Sequence, residues 1–99
     1  MVRHIVTWNY KEGLSDEENR ENALKLKADI EALDNIVEGI LELKVYINEL
    51  STSNRDIVVN SLFTSEEALA NYIVHPEHKK VGELIGKALQ DRACIDYYE

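Results

Sequence analysis

Two of this chain's three histidines lie three residues apart in the stretch Asn71–Lys80, NYIVHPEHKK, which also holds the only proline and one of five tyrosines. A neutral imidazole with a pKa near its ordinary value of roughly 6.5 can act as a base at neutral pH. Two histidines at this spacing can also be read as metal ligands, but the local sequence lacks the further ligands that a zinc site usually supplies. Cys94 and His4 can approach such a site only through the fold, so no side-chain metal site is expected. His4 lies between apolar neighbours in MVRHIVTWNY, the pattern of a satisfied core histidine, and Trp8 and Tyr10 are expected to pack in the same layer. Cys94 has no resolving cysteine and no basic neighbour except Arg92, and it reads as a buried small hydrophobe. Glycine-rich phosphate loops, nucleophile elbows and dinucleotide fingerprints are absent.

The same stretch has a structural reading. Pro76 suits the first position of a helix, where its missing N–H costs nothing. The residue before a proline is pushed out of the helical region, which makes His75 a boundary. Glu77 then falls in the first turn, where negative charge is favoured. HPEH is thus either a break between two helices or a rigid elbow that aims a catalytic imidazole.

The chain has 99 residues, enough for a single domain spanning 1–99 with one core. Its apolar content of 44% fits a globular protein. A net charge of −8 repels phosphate backbones and anionic bilayers, so neither nucleic acid nor membrane is expected as a partner. No apolar run is long enough to span a bilayer, and the N-terminus does not resemble a signal peptide. With a single cysteine, these features point to a cytoplasmic protein.

The elements that would position the histidines follow from periodicity. Val2–Tyr10 is β-branched and aromatic throughout and predicts a strand, with neither face purely polar. Ser15 and Glu18 form a capping-box pattern, starting a helix that runs to about Leu33 and buries Ala23, Leu26, Ile30 and Leu33. Gly39 is the natural turning point in DNIVEGI. Leu41–Glu49 alternates with period two, placing Leu41, Leu43, Val45 and Ile47 on one face. Asp56–Phe63 reads as a central strand covered on both faces, paired with its predecessor in a hairpin. A helix starts at Thr64 or Ser65. After HPEH a second runs to about Gln90, with Val81, Leu84, Ile85, Ala88 and Leu89 as its apolar face. ACIDYYE closes the chain as a short strand, with Tyr97 and Tyr98 on opposite faces. The order predicts an α+β, ferredoxin-like βαββαβ fold: a four-stranded antiparallel sheet with helices on one face. The opposite face is then bare, and a homodimer whose sheets face each other supplies its cover.

HIVTWNYKEGLSDEE at the start, HPEH after a helix and the terminal IDYYE together resemble the stress-responsive dimeric α+β barrel (Dabb) family over nearly the whole chain. The resemblance implies a ferredoxin-like protomer that dimerises through its sheets, in a family most of whose members have no established biochemistry. One plant member is a polyketide cyclase that uses neither metal nor organic cofactor. Its catalytic tyrosine and histidine match Tyr72 and His78 here, and a further pocket histidine matches His4. The motif's middle position, often Ala, is Glu77. Some members hold a magnesium ion on backbone carbonyls after the first helix, which here is Asp34–Ile40; no other cofactor is implied. Three functions follow as expectations. The first is a small stress-response dimer that binds an apolar ligand between sheet and helices. The second is a cofactor-free cyclase or lyase using His78 as base with Tyr72. The third is a cofactor-independent monooxygenase.

Overall fold

The computed structural model describes Met1–Glu99. The Ser15 side chain accepts a hydrogen bond from the Glu18 amide while Ser15 N–H donates to the Glu18 carboxylate, the capping box read from the sequence. It starts helix α1, Asp16–Glu31, which tightens into a 3-10 turn over Ala32–Asn35. All four residues of the expected stripe, Ala23, Leu26, Ile30 and Leu33, are buried. Helix α2, Glu66–Val74, is capped by the Ser65 side chain, and helix α3 spans Pro76–Ala88.

The strands are β1 (Val2–Tyr10), β2 (Ile40–Ile47), β3 (Ile57–Phe63) and β4 (Leu89–Tyr98). They form one antiparallel sheet in the order β2-β3-β1-β4. This is the ferredoxin-like arrangement expected, with β1 and β3 central. Along β1, Val2, His4, Val6 and Trp8 are buried and the intervening Arg3, Ile5 and Thr7 are only half-buried. The period of two therefore sorts β1 into a helix-covered face and an open one. The covered face joins β1 to Ile57, Val59 and Phe63 of β3 and to Leu43 and Val45 of β2, all in one apolar core. The open face of β3 is half-buried at Val58 and Asn60 and buried at Leu62, so the chain covers this side of the central strand less completely than the other.

Gly39 has φ +87°, and its carbonyl accepts the Thr64 amide. A Cβ there would stand 2.5 Å from Ala68 Cβ, so both conformation and space require glycine. The edge of β2 is capped by α1: Val45 N–H donates to Glu31 and Lys27 Nζ donates to the Val45 carbonyl.

Three expectations are corrected. Leu41 does not face the core. The ladder shifts between Ile40 and Glu42, so Leu41 becomes an extra, exposed residue at a bulge. Helix α3 stops at Ala88 rather than Gln90, and Leu89 opens β4 instead of ending the helical stripe. Pairing of Leu89 and Gln90 with Tyr10 and Asn9 captures these residues for the sheet, which makes β4 longer than ACIDYYE. Cys94 is exposed rather than buried, because β4 is an edge strand.

Candidate functional site

The two readings of HPEH divide between its histidines. His75 closes α2 and caps α3; its backbone is extended and its Nδ1 accepts the Glu77 amide at 3.1 Å. Pro76 follows as the first residue of α3. His75 is thus a structural joint. One turn on, His78 points back beneath that joint and packs on Tyr72, with ring centroids 4.5 Å apart and planes inclined by 58°.

Tyr72 is 3% exposed and also meets Phe63 at 5.0 Å and His4, edge-on, at 6.5 Å. His4 is 5% exposed. The three residues singled out in the sequence therefore meet in one place. They line a cavity of about 240 Å³ between sheet and helices, whose walls also include Trp8, Ile85 and Arg92. A larger groove of about 510 Å³ between α1 and α3 is lined by solvent-face side chains such as Lys25, Asp29 and Lys80 and by none of these three. Its lining mixes these charged groups with Ala32, Leu33, Ile36, Val81 and Leu84, whereas His4, Tyr72 and His78 all line the smaller cavity.

Burial pushes the Tyr72 phenol up to about 12, so it is a hydrogen-bond donor across the neutral range. Burial lowers the His78 pKa. A hydrogen bond to the Ile73 backbone opposes this, and electrostatic interaction with the neighbouring His4, Arg92 and His75 adds to it. His78 is therefore a free base at neutral pH.

The sequence reading missed the partners of His4. Its Nδ1 bonds the Asp96 carboxylate, and Cys94 Sγ lies 3.7 Å from the same nitrogen and 3.5 Å from Asp96 Oδ1. His4 is the register partner of Asp96 across β1 and β4. Nothing local announces a pairing between residues 92 positions apart; only the register could have revealed it. Burial and the Asp96 charge raise the Cys94 pKa, with Arg92 opposing.

The turn Asp34–Ile40 bears on the magnesium expectation. The carbonyls of Leu33 and Gly39 are engaged by backbone amides. A magnesium ion held by backbone carbonyls would need the others of this turn as its oxygen ligands.

A small ferredoxin-like protomer with an imidazole–phenol pair in a cavity under its helices defines the class of protein. The stress responsive A/B barrel domain model matches residues 2–99, and the chain belongs to that family. It is 28% identical to the stress-response A/B barrel domain-containing protein HS1 of Arabidopsis thaliana, over 97% of this chain and 87% of that protein. Among solved structures, it is similar to a dimeric ferredoxin-like protein of unknown function from Bacteroides fragilis. That match has a TM-score of 0.93 and 28% identity, covering 99% of this chain and 95% of the other. The Arabidopsis thaliana protein At3g17210 superposes with a TM-score of 0.78 at 25% identity, covering 100% and 95%. The chain is thus a stress-response-type A/B barrel protein.

Proposed function

We propose that the chain is a homodimer that holds a small, largely apolar carbonyl compound in the cavity between sheet and helices. The observation that carries this reading is the convergence of His4, Tyr72 and His78 on one mostly apolar space. Apolar walls supply affinity and a few polar groups fix orientation, the usual composition of a small-molecule site. Dimerisation rests on the open face, where Ile95 and Tyr97 are 59% and 45% exposed, and on the dimeric state of the Bacteroides fragilis neighbour.

A second reading, cofactor-free catalysis of the cyclase or lyase type, is favoured by the Tyr72–His78 contact. Tyr72 donates to the carbonyl oxygen of the ligand, and His78 takes a proton from the carbon beside it. The resulting enolate closes on a second carbonyl or expels a leaving group, and His78 returns the proton. The apolar walls limit competing water. A magnesium ion on backbone carbonyls within Asp34–Ile40 would brace the turn after α1. It would raise the melting temperature in magnesium over that in chelator and leave ligand binding unchanged.

Trp8 is the only tryptophan and lines the cavity, so its fluorescence reports occupancy. Titration with a series of aryl alkyl ketones is expected to give saturable quenching. Proton NMR in heavy water then separates the readings. Exchange of the ketone's α-protons, lost in a folded His78→Ala variant, supports catalysis; binding without exchange supports a carrier. No saturable change with any member of the series overturns both.

A further inference from the structure

His4, Cys94 and Asp96 bring three metal-capable atoms together at the margin of the cavity, beyond the roles already given to His4. We propose that these residues form a three-ligand site for a borderline divalent cation of the zinc type. The placement follows from strand geometry. Cys94 and Asp96 are two residues apart on β4 and so share its helix-facing side, and β1 pairs His4 with Asp96 and Val6 with Cys94. The site thus stands on two hydrogen-bonded strands rather than on a loop.

The distances fit. Zinc binds thiolate at about 2.3 Å and imidazole or carboxylate at about 2.0–2.2 Å, so tetrahedral geometry sets neighbouring ligand atoms about 3.3–3.6 Å apart. Cys94 Sγ is 3.5 Å from Asp96 Oδ1 and 3.7 Å from His4 Nδ1. His4 Nδ1 and the Asp96 carboxylate are hydrogen-bond partners. A cation replaces that hydrogen bond, and the pair opens to the ligand spacing. On binding, Cys94 gives up its thiol proton and His4 presents the Nδ1 lone pair, so thiolate and carboxylate together balance the cation's two charges. The fourth position is left for water or a ligand atom, as in zinc sites that are not closed. Cys94 and Asp96 are exposed while His4 lies beneath them, which gives the ion a route from solvent. The chain's net charge of −8 favours its approach.

The test uses the whole protein, reduced and stripped by chelator, with cobalt(II) and zinc as probes. The expected result is one ion per chain, with an intense thiolate-to-cobalt charge-transfer band and tetrahedral d–d bands that zinc abolishes. Binding as thiolate releases the Cys94 proton, so affinity rises with pH. Cys94→Ser and Asp96→Asn alter exposed side chains and keep the fold. Cys94→Ser should remove the charge-transfer band. Each should weaken zinc binding by more than the roughly 10–100-fold that loss of a mere supporting partner costs. Absence of stoichiometric binding overturns the proposal, as does binding that survives both substitutions. Neither result touches ketone binding at Trp8, so this site and the proposed function fail separately.

Discussion

On the covered face of the sheet, Ile57, Val59 and Phe63 are almost wholly buried by α1, α2 and α3, and the polar groups His4 and Tyr72 sit among them. On the open face the same strands present Ile5, Val58, Ile95 and Tyr97 with no helix above them. Chemistry-bearing residues therefore lie where the chain supplies its own roof, and unroofed apolar residues lie on the face where the proposed second copy would pack. Adjacent residues of β4 belong to opposite functions: Asp96 faces the site and Tyr97 faces away. The two functions can be perturbed one at a time.

The largest effect should come from the covered face. Phe63→Ala removes the fully buried ring beneath His4 and Tyr72, and urea unfolding should show a loss of about 3–5 kcal/mol. On the open face, Ile95→Asp should leave the protomer folded by circular dichroism. Sedimentation should show the dimer weakened by at least about 100-fold, since a charge would be buried without a partner. A monomeric parent protein would break the comparison outright. Gly39→Ala forces a positive φ on alanine and drives its Cβ into Ala68. Thermal melting should report about 1–3 kcal/mol lost, with the dimer constant unchanged.

Smaller effects sharpen the contrast. Tyr72→Phe keeps the ring packing and removes the donor, so Trp8-monitored ketone affinity should fall about 5–10-fold, the worth of one hydrogen bond, with stability within about 1 kcal/mol of the parent. The smallest is a pH effect. Burial holds His78 below its ordinary pKa, so the unfolded chain takes up this proton first. The contribution is complete above about pH 6.5 and is lost as pH falls through that value toward the lower folded pKa. A His78→Gln variant should flatten that part of the stability–pH profile, and an unchanged profile would show that His78 does not titrate as its surroundings require.

Local chemistry made much of this legible. The Ser15–Glu18 cap, the Ala23–Leu33 stripe, the Gly39 turn and the His75–Pro76 break each depend on residues within a few positions of one another, and each is found where the sequence places it. The meeting of Tyr72 with His78 is also local, six residues apart across one joint. The features that escaped depend on pairing between distant strands. Leu89 fits the periodicity of α3 and is taken by β1 instead. Leu41 fits the alternation of β2 and is displaced by a bulge. Cys94 looks like a core residue until it is placed on the edge strand, beside a histidine 90 positions away.

The His75 joint leaves no slack residue between α2 and α3: one backbone position ends the first helix and begins the second. With no residue between them, the start of α3 is fixed relative to the end of α2, and His78, one turn into α3, is thereby set against Tyr72 across the joint.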